Sequence, residues 1–527
     1  MEDFRLIIKE DMKHLDVKVK LPFLWGKAVF KKSEWPQINL IVGPNGSGKT
    51  LLAQEISRQF EAAGKNVRFL QTEKESPELA VEVLRSDERI RGKVETVLSS
   101  MFGKTIQFLD DIDGTFIPVV TNKAWNVQYD LNSVECHGLK EIIVLLVNLY
   151  NNSNDLLILD EPELHLHPQF QQFFMNEIRK VAARHQKRMF FIISHSPYFI
   201  DLRFSDDLLG VIACHINSEP THIDFLSEQD DDLFRRFLPR FNTYHKQFFF
   251  SDNQIFVEGY TDQQMFTNLL PFIEDEYKAA GTGIIDVGGK DELGVFCKVC
   301  SLLGTNGRII TDLDSLFSGK LRDVFCKDER VVQWLSKQEE RQKSFYESIF
   351  TPKELGSKSG LEKTVTLEKL IFRLERYLTA IGKEILSKKG KPPKKLSLYI
   401  EKLEALKAKH VNAESVDTFK TVILQGIINF TDELEKYLSS STAKSLPEIK
   451  NLYSLVLAAA EAARVYILPK GCIEHYYVKN EVKFMPVPGK DRLFHAELEH
   501  ITSSSPRIVR RDYAELITIL EKALQRL

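Results

Sequence analysis

Residues 38–56 read INLIVGPNGSGKTLLAQEI, an apolar run that breaks into a glycine-rich loop and resumes as an amphipathic pattern from Thr50. The loop fits G-x-x-x-x-G-K-[ST] at Gly43, Gly48, Lys49 and Thr50, with Asn45 and Gly46 inside it. Without Cβ atoms, the glycines let backbone N–H groups close around phosphate oxygens at a helix N-terminus, where the dipole also favours negative charge. Lys49 is expected to reach the β- and γ-phosphates, and Thr50 to ligand Mg²⁺. A purely structural glycine loop is the competing reading; a strand before it and a helix after it count against that.

An ATP site needs an acid on the metal side and a base for water. DLLILDEPELHLHP (155–168) supplies both, because Leu156 to Leu159 form a buried strand that delivers Asp160 and Glu161 at its C-terminal end. Asp160 is expected to hold Mg²⁺ through water and Glu161 to orient the attacking water. Two carboxylates at a strand end can also cap the next helix, a reading the upstream loop makes minor. MFFIISHSPYFI (189–200) is another apolar strand, ending in Ser194 and His195. A lone histidine after a strand is more often structural than catalytic. His195 follows the acid strand by one helix, as a γ-phosphate sensor should.

This order of motifs resembles the ABC-type ATPases of the recombination-repair and SMC class, over about residues 1–240. The resemblance implies ATP bound between two heads, the loop of one facing a signature loop of the other. LNSVECHGLKEIIVLLVNLY (131–150) is the local candidate, with Cys136, His137 and Gly138 where the family usually shows a serine-rich S-x-G pattern. Gly138 can still present backbone N–H groups to a γ-phosphate. HLHP (165–168) fits the dimer-contact loop of such heads; its two histidines lack a third ligand for a metal.

After Phe250 the pattern restarts. NQIFVEGYTDQQMFTNLL (253–270) reads as strand, turn and helix, GIIDVGGKDELGVFCKVCSLLG (283–304) as strand, Gly-Gly-Lys and helix, and GRIITDLDSLF (307–317) as a strand ending in Asp312 and Asp314. Alternating strand and helix predicts a small parallel α/β domain, whose acids Glu258, Asp262, Asp312 and Asp314 fall at strand C-termini and converge on one edge. Carboxylates gathered in one place repel unless cations neutralise them, and oxygen ligands select Mg²⁺ or Mn²⁺. Such a site suits phosphodiester cleavage, with metals stabilising the attacking and leaving oxygens.

An E-G-x-x-x strand end followed by a D-x-D strand end resembles the Toprim domain of topoisomerases, primases and certain nucleases. An ABC-type head followed directly by Toprim resembles the OLD (overcoming lysogenisation defect) family, which includes phage-defence nucleases of Gabija and retron-associated systems. The resemblance implies a later acid in a G-x-[IL]-E stretch, carried here by Gly471 and Glu474 in VYILPKGCIEHYYV (465–478). It also implies a late lysine that stabilises the charged transition state. Lys479, Lys483 and Lys490 are candidates, with Lys490 in PVPGKDRLF (486–494) the first choice, while Lys290 in VGGK touches phosphate or caps its turn. A surface lysine is the bland reading for each. Relatives commonly place glutamate where this chain has Asp262, and losing a methylene shortens reach by roughly 1.5 Å.

Between the D-x-D strand and VYILPKG, apolar residues recur at three- and four-residue spacing in LEKLIFRLERYLTAIGKEIL (367–386), SLYIEKLEALKAKH (397–410) and FKTVILQGIINFTDELEKYL (419–438). They predict a helical insertion in the Toprim sheet. The expected domains are therefore a head at 1–240, Toprim at 241–325, the insertion at 326–462, and Toprim with a C-terminal helix at 463–527. Lys388, Lys389, Lys391, Lys394 and Lys395 cluster around a Pro-Pro turn, a solvated loop or a phosphate-backbone grip. Cys297 and Cys300 form C-x-x-C inside a predicted helix, so buried thiols outweigh a zinc site with Cys326 or Cys472. Residues 227–250 read as a joining helix and linker.

The bulk numbers agree with a large, ordinary globular chain: 527 residues, 43% hydrophobic, 28% charged and a net charge of -3. That charge gives no global nucleic-acid signature, so a polyanion needs a local basic patch. No signal-peptide pattern or membrane-length apolar run is found, and the six cysteines form no disulfide framework, so a cytoplasmic setting is expected. The expectation is an ATP-dependent, metal-dependent nuclease that forms a dimer or tetramer through its heads. DNA is the favoured substrate and RNA, including tRNA, the alternative; a regulatory nucleic acid or protein partner fits the insertion. A nucleotide-regulated nucleic-acid clamp with an inactive Toprim unit is the second reading. A topoisomerase would need a nucleophilic tyrosine on a further DNA-gate domain, and a primase its template-handling modules.

Overall fold

The computed structural model describes residues 14–525 apart from 72–76, 112–113, 123–124, 126, 132–138, 165, 217, 244, 251–253, 275–281, 306, 356–364, 389, 391 and 409–412. The chain divides into two compact units, Met1–Asp252 with Leu302–Thr305, and Asn253–Ser301 with Asn306–Leu527.

In the first unit, β1 (Val17–Val19) and β2 (Phe30–Lys32) pair as an antiparallel ribbon before the glycine loop. The loop joins β3 (Ile38–Val42) to α1 (Lys49–Ala62), and β4 (Val67–Gln71) follows. Helices α2 (Pro77–Ser86) and α3 (Glu88–Phe102) lead into an antiparallel sheet of β5 (Thr105–Asp110), β6 (Phe116–Asn122) and β7 (Val127–Asp130). Next come α4 (Leu139–Tyr150), β8 (Leu156–Asp160), α5 (Pro168–Arg184), β9 (Met189–Ile193), β10 (Val211–Ala213), β11 (Thr221–His222) and α6 (Glu228–Phe237). The main sheet has the order β11-β10-β3-β9-β8-β4, all parallel except β11. Every residue of β8 and β9 is buried, as expected of strands covered by helices on both faces. Trp35, Phe60 and Phe191 pack edge-on around Ile41 and Ile158, holding α1 against the sheet.

Two glycines of the loop are required by close approach. A Cβ on Gly43, whose φ is 142°, would lie 2.3 Å from the Cys214 carbonyl oxygen, and one on Gly48 would lie 2.4 Å from Leu24 Cδ1. The sheet β5–β7 and the pair α2–α3 have no counterpart in the sequence reading. Their strands alternate weakly, as in LDDIDGTF, where β5 turns into β6 across two acids and a glycine.

The second unit contains a parallel sheet in the order β13-β12-β14-β15, from β12 (Gln254–Val257), β13 (Gly283–Asp286), β14 (Arg308–Thr311) and β15 (Val465–Ile467). α7 (Tyr260–Leu269) follows β12 and α8 (Lys290–Leu302) follows β13. Between β14 and β15 the chain is helical: α9 (Lys320–Phe325), α10 (Glu329–Ile349), α11 (Leu367–Ser387), α12 (Ser397–Ala408), α13 (Ala413–Asn429), α14 (Thr431–Tyr437) and α15 (Leu446–Ala462). The run expected as one helix from Phe419 to Leu438 breaks at Phe430, which falls in a non-helical conformation (φ -133°, ψ 39°) between α13 and α14. α16 (Lys490–Ser503), α17 (Pro506–Asp512) and α18 (Ala514–Leu524) close the chain against a core that includes Met265, Phe266, Phe494 and Leu520.

Candidate nucleotide and metal sites

The strand order places β9 between the loop strand β3 and the acid strand β8, so the ends of all three face one region of the first unit. Thr50, on the first turn of α1, donates its hydroxyl to Asp160 Oδ1 at 3.2 Å. The residue expected to ligand the nucleotide's metal and the acid expected to hold it are therefore adjacent. Lys49 is buried and donates to the carbonyls of Gly43 and Pro44 at 3.1 and 2.9 Å. Burial lowers its ammonium below the usual lysine value, against the pull of nearby Glu161 and Asp160. Burial likewise raises Asp160, which keeps hydrogen bonds from Gln71 and Thr50.

Glu161 adopts a positive φ of 52°, rare for a residue with a Cβ, and its N–H is held by the Ile193 carbonyl at 2.9 Å. This turn aims the carboxylate back over the sheet edge, where Oε1 lies 3.5 Å from His195 Nε2. The contact is one with neutral imidazole, because burial and the Lys49 charge push His195 down to about 4. Two residues here were not picked out from sequence. Gln71, the last residue of β4, donates to Asp160 Oδ2 at 3.4 Å, and Glu163 accepts from the His195 N–H at 2.6 Å. A polar residue after the apolar pair Phe69-Leu70 at the end of β4, and the second acid of E-P-E, were the available signals. Gly138, Cys136 and His137, the signature-loop candidates, lie outside the described residues, as does His165. His167 caps α5, its Nδ1 accepting from Gln169 N at 3.4 Å.

In the second unit, Glu258 follows β12, Asp312 and Asp314 follow β14, and Glu474 follows β15 on the short turn Ile473–Tyr476. Ligand oxygens of Glu258, Asp312 and Asp314 all lie within 4.8 Å of one another. Burial, then the charges of Asp314 and Asp262, raise Glu258 to about 7; burial and Glu474 raise Asp262 to about 7; burial and Glu258 raise Asp312 well above the carboxylate range. Glu258 Oε2 and Asp314 Oδ1 are buried with no hydrogen-bond partner. Crowded, desolvated carboxylates with unsatisfied oxygens are the donor set of a hard divalent cation, so these residues fit one.

Asp262 and Glu474 are not in that group of three. Asp262 Oδ2 accepts the Gly259 N–H at 3.1 Å, closing the first turn of α7. Glu474 is 1% exposed and pairs with Lys490 Nζ at 2.9 Å. Burial would raise Glu474, but the Cys472 thiol and Lys490 together hold it below the ordinary value. Lys290 Nζ lies 3.3 Å from Asp314 Oδ2. Two cations therefore flank the acids, while Lys483 pairs with exposed Glu481 at 3.3 Å and Lys479 is tied in through its backbone to Glu497.

The helical insertion braces both acid loops. Ser318, just beyond Asp314, donates to buried Asp417 of α13, and Gln425 one face along donates to the Lys470 carbonyl at 2.7 Å and meets His475 Nε2 at 3.1 Å. Gly471, with φ 136°, leaves no room for a side chain: a Cβ there would sit 2.2 Å from Gln425 Nε2. Of the lysine run, Lys388 donates to the Tyr437 carbonyl and Lys395 pairs with Glu433 at 2.7 Å, while Lys389 and Lys391 lie outside the described residues. Cys297, Cys300, Cys326 and Cys472 are buried free thiols; burial pushes Cys297 and Cys326 up to about 12. No metal-ligand cluster among the described residues includes a cysteine.

Residues 39–128 match the family model "ATPase family associated with various cellular activities (AAA)", 133–200 match "AAA ATPase domain", and 249–314 match "Overcoming lysogenization defect protein-like, TOPRIM domain". An OLD nuclease of Thermus scotoductus is 26% identical over 35% of this chain and 34% of its own. Endonuclease GajA of Bacillus cereus is 24% identical over 32% of this chain and 27% of its own, and the Old nuclease of Escherichia phage P2 is 25% identical over 31% and 28%. The matched stretch spans about a third or less of the length of these curated relatives. The SMC head domain from Thermotoga maritima aligns at 11% identity over 40% of this chain and 99% of its own, with a TM-score of 0.28; the ATPase fold rests instead on strand order and motif placement. Among the described residues no helix is long and apolar enough to cross a membrane. The chain is thus similar over part of its length to OLD nucleases, with a P-loop ATPase unit followed by a stretch that matches an OLD-like Toprim domain.

Proposed function

We propose that this chain is an ATP-regulated, divalent-cation-dependent nuclease that hydrolyses phosphodiester bonds of DNA. The observation that carries the reading is the group Glu258, Asp312 and Asp314, with its two unsatisfied buried oxygens, inside the stretch that matches an OLD-like Toprim domain. Bound there, Mg²⁺ or Mn²⁺ supplies a Lewis acid for the phosphoryl oxygen and acidifies a water. Glu258, Asp312 and Asp314 would hold the cation, with Asp262 and Glu474 as the neighbouring acids. Lys490 and Lys290 face the negative charge that accumulates on the phosphoryl group as water adds and the ester oxygen leaves. Burial raises Glu258 and Asp262 to about 7 and Asp312 above its ordinary value, so protons and the cation compete for these carboxylates.

In the ATPase unit, backbone N–H groups of Gly43, Asn45, Gly46 and Gly48 cradle the phosphates and Lys49 leaves the loop carbonyls for the β- and γ-phosphates. Thr50 and Asp160 take the nucleotide's Mg²⁺, Glu161 orients water and neutral His195 senses the γ-phosphate. The role expected of Gly138, which lies outside the described residues, would require a second head and so a homo-oligomer, a dimer or tetramer. ATP controls access to the cutting site, since phosphodiester hydrolysis is itself downhill. A phage-defence role, with a nucleic-acid or protein partner restraining the nuclease, rests on the resemblance to the OLD family alone.

A nucleotide-regulated clamp with a non-cutting Toprim unit is the second reading. It is favoured by Asp262 being engaged by Gly259 and Glu474 by Lys490, which leaves three of the five acids gathered as a ligand group. Incubating purified protein with supercoiled plasmid and Mg²⁺ or Mn²⁺ separates the two. Cleavage lost in Asp312→Ala supports the nuclease; cleavage that persists in that variant refutes the site, and nucleotide-dependent binding without cleavage supports the clamp.

A further inference from the structure

Tyr260 is 61% exposed, on the first turn of α7 between Glu258 and Asp262. Exposure alone decides nothing, since Trp125 and Phe225 are 77% and 75% exposed far from these acids in sequence. Its setting does. The Tyr260 ring meets the buried Phe494 ring edge-on, with centroids 6.3 Å apart and planes at 69°. Phe494 lies one turn along α16 from Lys490, whose ammonium pairs with Glu474. One side of the ring is thus anchored by the helix that carries a phosphate-facing cation, and the ring itself grows from the strand end that carries Glu258.

An aromatic ring held beside a phosphodiester-cleaving site, with cations within the same cluster, has the makings of a stacking platform. Every nucleobase has a π-face, so such a platform binds without regard to sequence. A base inside a duplex already has both faces covered by its neighbours, whereas an unpaired base has a face to offer. We propose that Tyr260 stacks on an unpaired nucleobase next to the scissile phosphate, making the Toprim site selective for single-stranded or frayed nucleic acid over intact duplex. This rests on the nuclease reading above and adds the form of the substrate. Because the ring is largely solvated, truncating it removes little from the core.

Binding of labelled single-stranded DNA, single-stranded RNA and blunt duplex DNA of one length is compared by anisotropy in Ca²⁺, and their cleavage in Mn²⁺, for the wild type, Tyr260→Ala, Tyr260→Phe and Tyr260→Trp. The wild type is expected to bind a single strand more tightly than duplex. Tyr260→Ala weakens single-strand binding and raises its KM about tenfold, with little effect on duplex, while Tyr260→Phe and Tyr260→Trp retain the preference. The two single strands tell whether the platform serves DNA, RNA or both. Equal single-strand affinity in Tyr260→Ala and wild type overturns the platform, as does equal loss in Tyr260→Phe and Tyr260→Ala, which would assign the effect to the hydroxyl. If the wild type binds but never cuts and Asp312→Ala behaves the same, the nuclease reading fails while the stacking assignment is still decided by the binding arm. If the wild type binds neither form, both fail.

Discussion

Two acidic sites in this molecule stand at the ends of parallel strands, and they solve the same electrostatic problem differently. In the ATPase unit Asp160 is raised by burial but hydrogen-bonded by Thr50 and Gln71, and the loop lysine is held on carbonyls. Its metal-side acid and its loop lysine are thus both partnered. In the Toprim unit three carboxylates crowd together, two of their buried oxygens have no partner, and neighbouring Asp262 is raised as well. The first arrangement has its charge met by neighbouring donors; the second carries more buried carboxylate than Lys290 and Lys490 neutralise, the setting in which a divalent cation is expected to stabilise it most.

The comparison is most severely tested by removing one acid from each side. Asp314→Asn, read by plasmid cleavage in Mn²⁺, is expected to lower the rate by about a hundredfold or more, as loss of an electrostatic contact in a dry site does. Asp160→Asn is expected to abolish ATP turnover, read by phosphate release. Next in size is Lys490→Ala, which should lower kcat for cleavage by about a hundredfold with a smaller change in the Mn²⁺ requirement, Lys490→Arg restoring part of it. An unchanged kcat would leave the transition-state charge to Lys290.

A third test uses pH. The folded protein holds Glu258 and Asp262 at about 7, above their ordinary values of 4.5 and 3.8, so it binds more protons than the unfolded chain in between. Stability of the cation-free protein therefore falls as pH rises from about 4 to about 7, and the lost stability does not return above that window. Thermal melting should show Mn²⁺ stabilisation that is small at pH 5 and grows towards pH 8, a trend that Asp314→Asn weakens. A pH-independent Mn²⁺ effect would mean the carboxylates are already satisfied. The smallest effect is expected at the brace: Gln425→Ala removes the hydrogen bond to the Lys470 carbonyl and should cost about 1 kcal/mol of stability by denaturant unfolding.

What the sequence made legible follows the same division. The loop from Gly43 to Thr50 and the apolar strands before Asp160, His195, Glu258 and Asp312 announce themselves, because a parallel strand covered on both faces reads as a continuous apolar run and its chemistry sits at the next residue. Strand order, and with it β9 lying between β3 and β8, depends on pairings far apart in the chain that no local pattern encodes. Gln71 and Glu163 escaped for that reason: each matters only through a partner in another strand or loop. The dual engagement of Asp262 is similar. Its spacing from Glu258 suggests a ligand, while its position on the first turn of α7 also lets it cap the Gly259 N–H. Gln425 and Asp417 were hidden inside an insertion whose helical periodicity tells which face is buried but not what it braces.

The central claim is that Glu258, Asp312 and Asp314 form a cation site independent of nucleotide. Mn²⁺ titration followed by electron paramagnetic resonance, without nucleotide, on the wild type, Asp314→Asn and Asp160→Asn tests it most directly. A bound-Mn²⁺ signal is expected in the wild type and Asp160→Asn, lost or greatly weakened in Asp314→Asn. A site that survives Asp314→Asn unchanged, or one that disappears in Asp160→Asn alone, would contradict it.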